Sequence, residues 1–164
     1  MTRPWTLGWL VTGLAAALVL AAAGAGMAAM ASAVATPQVP AQYCSSHPAP
    51  VLRALKEGAQ RVVVVLKAFE PTKAGGARLV VSLLTANKTK RHEVARIAVH
   101  PLRAFSAHEP RRSQRFLVSL AGHGHLIEDG QPLCLEVAFD ARGAKAEGGR
   151  AEIEIELAEM PPAK

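Results

Sequence analysis

The sequence predicts an all-β fold: an antiparallel β-sandwich of six to seven strands, Greek-key or immunoglobulin-like, behind an N-terminal apolar leader helix. Three observations support this prediction. Valine-rich runs recur along the chain, and β-branched side chains fit a pleated sheet better than a helix. Apolar and acidic residues alternate strictly in the last long segment. Proline and glycine separate these runs, and no internal repeat is present.

Residues 1–35 are predicted to be a membrane-directed leader. Arg3 lies near the start, residues 7–31 carry no charge, and Ala33-Val34-Ala35 has small residues at the spacing that a signal peptidase reads. Cleavage is therefore predicted before Thr36. The uncharged stretch is also long enough to cross a bilayer, so an uncleaved N-terminal anchor is the alternative. Both alternatives predict an exported domain, periplasmic or secreted.

The rest of the chain is predicted to form one domain. Residues 36–50 are rich in Pro, Ala and Ser and are interpreted as a linker, residues 51–160 as the sandwich, and residues 161–164 as a tail. Within 51–60 a short helix is predicted, because Leu52, Leu55 and Ala59 are spaced to share one face.

Six segments are predicted as strands, in chain order Arg61–Phe69, Arg78–Thr85, Glu93–Val99, Arg115–Leu120, Leu133–Phe139 and Ala151–Leu157. The first is a nearly continuous apolar run, which is typical of a strand covered on both faces. The first two are predicted to form a hairpin, with the turn at Gly75-Gly76.

The last predicted strand has the clearest pattern. Its apolar residues Ala151, Ile153, Ile155 and Leu157 alternate with Glu152, Glu154 and Glu156. A helix would scatter the glutamates around its circumference, so a strand with one solvent face is predicted. We expect these glutamates to pair with Arg and Lys of the neighbouring strand rather than act as a catalytic acid and base.

Cys44 and Cys134 are the only cysteines, and an exported chain reaches an oxidising compartment. A disulfide between them is predicted, which should stabilise the fold by roughly 4 kcal/mol in the loop-entropy model. Cys134 lies on the opposite face from Leu133 and Leu135, so the bond should hold the N-terminal segment against the outer face of the sheet. Metal ligation by the thiolates is the alternative, but no C-x-x-C pair supports it.

Basic residues form a candidate binding patch. Without the leader, 18 Lys and Arg face 13 Asp and Glu. This excess favours anionic neighbours. For an exported protein these are an acidic protein face, acidic glycans or an anionic membrane surface rather than nucleic acid. Plain surface solvation is the alternative. The residues of the patch are Lys88, Lys90, Arg91, Arg96, Arg111, Arg112 and Arg115.

His123-Gly124-His125 is a candidate metal site. Alternate residues of an extended segment point the same way, so the two imidazoles could be offered to one copper or zinc ion, with His100 or His108 as a third ligand. A solvated polar loop is the alternative interpretation. No other cofactor is expected.

No catalytic residue is predicted. The sequence has no Gly-x-Ser-x-Gly nucleophile motif and no glycine-rich phosphate loop, and the disulfide would occupy both cysteines. The predicted class is therefore a protein that is not an enzyme.

The order of the segments between Arg61 and Glu159 resembles a known domain. VVLKAFEP, the strand from Leu79 to Leu84, HEVARIAV, RFLVSL, LCLEVAF and AEIEIEL follow one another. This order resembles the C-terminal β-sandwich that follows the copper domain in tyrosinases and polyphenol oxidases. The resemblance implies a non-catalytic shielding or accessory module beside a dicopper site. The family's six copper-binding histidine positions have no counterpart here, so the resemblance transfers no site residue.

Three functions are compatible with these patterns. The first is an exported binding or accessory module, with a shielding role for a protein partner. The second is a periplasmic copper- or zinc-binding or delivery protein that uses His123 and His125. The third is a membrane-tethered structural subunit.

Overall fold

The computed structural model describes residues 32–73, 78–85, 87–140 and 147–160. Most of the predicted leader, the Gly75-Gly76 turn and the predicted tail at 161–164 lie outside the described residues. Within the described ranges, no helix has the length and apolar character needed to span a membrane.

The described residues form eight strands, one α-helix and two short 3-10 helices. The strands are β1 (Ala33–Ala35), β2 (Ala41–Ser45), β3 (Gln60–Thr72), β4 (Arg78–Thr85), β5 (Lys90–Ala98), β6 (Gln114–Val118), β7 (Leu133–Phe139) and β8 (Gly148–Glu159). The helix α1 spans Ala49–Glu57, and the 3-10 helices span Pro110–Arg112 and Ala121–Leu126.

Two four-stranded antiparallel sheets pack face to face. Sheet one has the order β1-β8-β3-β6, and sheet two has the order β2-β7-β4-β5. Strand pairs β1–β8, β2–β7, β3–β6 and β4–β5 show that the first half of the chain folds back on the second half as one long hairpin. The hairpin then rolls up, so that β3 pairs with β8 and β4 pairs with β7. This is the strand order of an eight-stranded jelly roll, which contains two Greek keys. The predicted all-β sandwich is confirmed.

The predicted hairpin of β3 and β4 is wrong. β3 pairs with β6 and β8 in sheet one, whereas β4 pairs with β5 and β7 in sheet two. Both strands are apolar and nearly fully buried, so each is stabilised in the middle of a sheet between two partners. Local pattern predicts such a strand but carries no information about which strand it pairs with.

The sandwich also begins earlier than predicted. β1 lies within the predicted leader, and β2 and the start of α1 lie within the predicted linker. β1 runs along the β8 edge with Ala35 fully buried in the core, and β2 runs along β7 with Ala41 and Tyr43 buried. Small alanine side chains fit where these strands approach the core closely. Alanine and proline are uncommon in strands, so the composition of this segment did not predict β1 and β2.

The helix α1 agrees with the predicted short helix. Leu52 and Leu55 are fully buried, but Ala59 lies beyond the helix and is exposed. The helix begins at Ala49, just after Pro48, and ends at Gly58, which has φ +78° and donates its N–H to the carbonyl of Leu55. Glycine terminates helices in this way because it lacks the Cβ that penalises a positive φ.

The core lies between the sheets, and the outer face of sheet one is covered by its own charged side chains. Val63 and Val65 on β3 point away from the core, yet both are buried. Arg115 on β6 reaches across β3 to pair with Glu156 on β8, and Lys67 pairs with Glu154 at 3.3 Å. The aliphatic stems of these long side chains cover the valines. The predicted pairing with a basic residue of the neighbouring strand is therefore confirmed for Glu154, whose partner Lys67 lies on β3, whereas the partner of Glu156 lies one strand further away, on β6.

The predicted disulfide is present. Cys44 on β2 lies directly opposite Cys134 on β7, and their sulfur atoms are bonded. The bond lies on the outer face of sheet two, because Leu133 and Leu135 point into the core. The N-terminal segment differs from the prediction in one respect: it joins the sheet as edge strand β2 instead of lying over its outside.

Candidate interaction surface

The seven residues of the predicted basic patch lie along one side of the sandwich. β5 and β6 are the last strands of their sheets, and they contact each other. Lys88 precedes β5, which carries Lys90, Arg91 and Arg96, while the first 3-10 helix and β6 carry the others, Arg111, Arg112 and Arg115. We call this side of the molecule, residues 87–118, the basic edge. The topology thus unites two clusters that are separate in the sequence.

The basic edge carries the charge excess of the chain. Residues 87–118 contain eight Lys and Arg but only two acidic residues, Glu93 and Glu109, which gives a net charge of +6. The formal net charge of the whole chain is also +6, so the remaining residues are balanced overall. Glu136, Asp140 and Glu156 lie outside this range but pair with its arginines, which lowers the net charge at this side of the molecule to +3. A positive potential concentrated on one side attracts anionic partners and orients them as they approach.

Several arginines of the basic edge are held by carboxylates. Arg96 binds Glu93 and also reaches Asp140 at 3.0 Å, and Arg112 binds Glu109 at 3.0 Å. The hydrogen bonds that Arg96 donates to the carboxylate of Glu93 raise the pKa of Arg96. The backbone N–H of Ser106 and the guanidinium of Arg112 lower the pKa of Glu109. These surface pairs fix the orientation of the guanidinium groups while contributing little to stability.

Arg91 makes a different kind of contact. Its Nε atom lies 2.7 Å from Oε1 of Glu136, a residue that is only 3% exposed although it lies on the outer face of sheet two. Gln42 donates a hydrogen bond of 2.8 Å to the other oxygen of the same carboxylate. β5, β7 and β2 are thus connected across the outside of the sheet. The role of Arg91 is consequently structural as well as electrostatic.

Four cations of the basic edge are available to a partner. Lys88, Lys90, Arg103 and Arg111 are exposed and make no ion pair within the described part of the chain. Leu117 on β6 is 55% exposed and Leu102 is 40% exposed. Exposed leucines among arginines give the mixture of apolar and guanidinium groups that is enriched in protein interfaces.

The exposed leucines were not singled out from the sequence, although one signal was available. Phe116, Val118 and Leu120 alternate with Leu117 and Ser119, which places Leu117 on the face away from the core. An apolar residue on the outer face of an edge strand is a candidate contact residue. Leu102 lies in an irregular segment and gives no such periodic signal.

The histidines of the predicted metal site do not lie on an extended segment. His123 and His125 belong to the second 3-10 helix, in which residues two apart point in different directions because a turn has three residues. His123 is half-buried, with its Nδ1 atom buried and without a hydrogen-bond partner, whereas His125 is exposed. Among the described residues no group of three or more His, Cys, Asp or Glu side chains could hold a metal ion. Copper or zinc binding by His123 and His125 stays a prediction.

A cleft of about 370 Å³ lies at one end of sheet two, next to the basic edge. The turn at Asn87 and Lys88 forms one wall, and the segment from Leu126 to Glu128 forms another. A smaller cleft of about 220 Å³ lies beside Phe69 and Phe105. The lining of the larger cleft is mainly apolar and neutral polar, and its two charged residues, Lys88 and Glu128, have opposite signs.

The fold therefore places the residues of the predicted basic patch along one side of the sandwich, and it bonds the two predicted cysteines to each other on the outer face of sheet two. It does not place the two histidines of the predicted metal site on one face.

Comparison of the chain with models of protein families, with curated proteins and with solved structures gave no match.

Proposed function

We propose that this chain is an exported, non-enzymatic β-sandwich that binds an acidic protein partner through the basic edge. The observation that carries the proposal is the concentration of the chain's entire net charge in residues 87–118, which the jelly-roll topology places along one side. The disulfide is compatible with an oxidising compartment, and it supports export.

The composition of the basic edge favours a protein over a membrane surface. Two of its four cations that are unpaired in the described part of the chain, Arg103 and Arg111, are arginines, whose planar guanidinium groups bind carboxylates in a bidentate manner. Binding of anionic lipid depends on charge density, for which lysine serves equally well. The exposed Leu117 beside Arg115 adds an apolar contact of the kind found in protein interfaces.

An accessory or shielding role is one form of this function. The resemblance to the C-terminal sandwich of tyrosinases implies a module that covers part of an enzyme. An acidic face on such an enzyme would be the complement of the basic edge.

Charge reversal of two unpaired cations tests the proposal. The variant Lys90→Glu/Arg111→Glu changes the basic edge without breaking an ion pair seen in the described residues. Lys88 is left unchanged, because its φ of +69° belongs to the turn between β4 and β5. Arg53→Glu/Arg150→Glu is the matched control, since it makes the same charge change at exposed positions on α1 and β8 and also breaks no ion pair seen in the described residues.

Binding to polyglutamate is the first measurement. We expect the edge variant to bind about tenfold more weakly than the wild type, the control to bind nearly as tightly, and added salt to weaken the wild type. Equal losses in both variants would show that only net charge matters and would contradict the proposal. Binding of the wild type to vesicles of anionic phospholipid but not to polyglutamate would replace the protein partner by a membrane surface.

A further inference from the structure

We propose that a protease of the signal-peptidase type cleaves the chain between Ala31 and Ser32, and that β1 remains in the mature protein. The inference rests on the export that the proposed function includes, but it does not depend on binding by the basic edge. It moves the processing site four residues upstream of the bond predicted from Ala33-Val34-Ala35.

The first support is the pairing of β1. Ala33 lies opposite Ile153 and Ala35 lies opposite Ala151 on β8. Ala35 is fully buried and belongs to the core between the sheets. Cleavage before Thr36 would remove this strand, uncover the adjoining core and leave the β8 edge unpaired at Ala151–Ile153.

The second support is the connection from β1 to β2. The N–H of Thr36 donates to the carbonyl of Val39 at 2.8 Å, and the N–H of Val39 donates to the hydroxyl of Thr36 at 3.1 Å. Thr36 is therefore part of a closed turn that connects two paired strands. Cleavage before Thr36 would cut the chain between the paired strand β1 and this turn.

The third support is Tyr43. Its hydroxyl donates to the carbonyl of Ile153 at 2.6 Å, and Ile153 is the residue of β8 that lies opposite Ala33 on β1. The hydroxyl of Tyr43 on β2 therefore binds β8 at the position where β1 pairs with it. Removal of β1 would uncover this hydrogen bond.

The sequence supplies an alternative cleavage site just upstream. Ala29-Met30-Ala31 has small residues at the same two positions that Ala33 and Ala35 occupy in the downstream site. Hydrolysis would consume one water, break the bond between the carbonyl carbon of Ala31 and the nitrogen of Ser32, and leave a carboxylate on Ala31 and an amino group on Ser32. Both sites satisfy the sequence rule, and only the upstream site preserves β1.

The new amino terminus would lie in an acidic neighbourhood. The hydroxyl of Ser32 donates to Oε1 of Glu152 at 3.2 Å, and Glu152 is opposite Val34 on the same face of sheet one as Glu154. An ammonium group on Ser32 adds positive charge beside these carboxylates. Electrostatic attraction would therefore stabilise the amino terminus of a protein that begins at Ser32.

The test expresses the full chain with its own leader in a secretion-competent bacterial host. The mature protein is then characterised by intact mass and N-terminal sequencing. We expect a start at Ser32. A start at Thr36 or Val34, or a chain that retains Met1, would overturn the proposal.

Two variants locate the bond. In Ala31→Leu the residue before the bond is large, and we expect the Ser32 terminus to disappear. Met30→Leu changes the position that the small-residue pattern leaves free, and we expect it to keep the Ser32 terminus. Persistence of the wild-type terminus in Ala31→Leu would count against the assigned bond. A protein that begins at Ser32 but ignores polyglutamate would refute the proposed function and leave this inference intact.

Discussion

The hydroxyl of Tyr43 on β2 donates a hydrogen bond of 2.6 Å to the backbone carbonyl of Ile153 on β8, and so connects the two sheets of the sandwich. Tyr43 is the only tyrosine of the chain and is buried. Burial raises its pKa well above the usual range, and the charges of Glu154 and Glu152 add to this increase. A single spectroscopic signal therefore reports on the contact between the sheets.

Stability should fall in alkaline solution because of this residue. The pKa of Tyr43 in the folded state lies above its unfolded value of about 10, so the folded protein holds the proton more tightly. The stabilisation is complete below pH of about 10 and is lost as the pH rises towards the folded pKa. Urea unfolding at several pH values measures it, and Tyr43→Phe should lack this component.

Tyr43→Phe should also be less stable at neutral pH, by about 1–2 kcal/mol, because the carbonyl of Ile153 loses its donor. The phenolate absorbance of the folded wild type provides an independent check. A phenol that ionises near its ordinary pKa in the folded protein would contradict the cross-sheet hydrogen bond.

The disulfide should stabilise the fold without defining it. Cys44 and Cys134 lie opposite each other in a run of paired residues that extends from Ala41 to Ser45 on β2. These backbone hydrogen bonds remain in Cys44→Ser/Cys134→Ser, so we expect the variant to fold with a free energy of unfolding lower by about 2–4 kcal/mol. Urea midpoints measure the difference. Identical midpoints for the wild type with and without a reductant would show that the bond contributes nothing.

Strand identity could be predicted from the sequence more completely than strand pairing. The bounds of β4 and β7 agree with the prediction, because alternation or a buried run is a local property. The partners of β3 are not local, and its valines would fit the middle of either sheet. β1 and β2 were missed because Ala33, Ala35 and Ala41 have weak strand propensity and are stabilised by tertiary contacts.

The candidate surface was predictable in composition but not in geometry. Lys90 and Arg111 lie in two basic clusters that the sequence shows plainly. The two clusters lie on the same side of the molecule because β5 and β6 are the last strands of their two sheets on that side. This placement is a consequence of the strand topology. The pairing of Arg91 with buried Glu136 depends on cross-strand register, and a one-residue shift would have moved the carboxylate to the core.

Arg91→Ala should destabilise the protein because of the carboxylate it leaves behind. Glu136 is almost fully buried, and without the guanidinium only the amide of Gln42 would remain to bind it. We expect a loss of about 1–3 kcal/mol in the free energy of unfolding, since a buried charge would lose its counterion. The side chain of Arg91 is 61% exposed, so solvent screening keeps the effect below that of a fully buried pair.

Lys90→Ala is the matched control for this effect. Lys90 is the adjacent residue on β5, is exposed, and makes no ion pair within the described residues, so its loss should change stability by less than about 0.5 kcal/mol. Chemical unfolding of both variants measures the difference. Equal stability of the two variants would mean that Glu136 does not depend on Arg91.

The position of His123 and His125 on a 3-10 helix leads to a prediction about metals. Their imidazoles point in different directions, and one of them has a buried Nδ1 atom, so a single ion would have to distort the helix to reach both. We therefore expect His123→Ala/His125→Ala to bind copper and zinc with the same affinity as the wild type. Calorimetric titration of both proteins with each metal measures the two affinities. A loss of about tenfold or more in affinity would show that the helix opens to form a two-histidine site, and would favour the metal-binding function over the binding module.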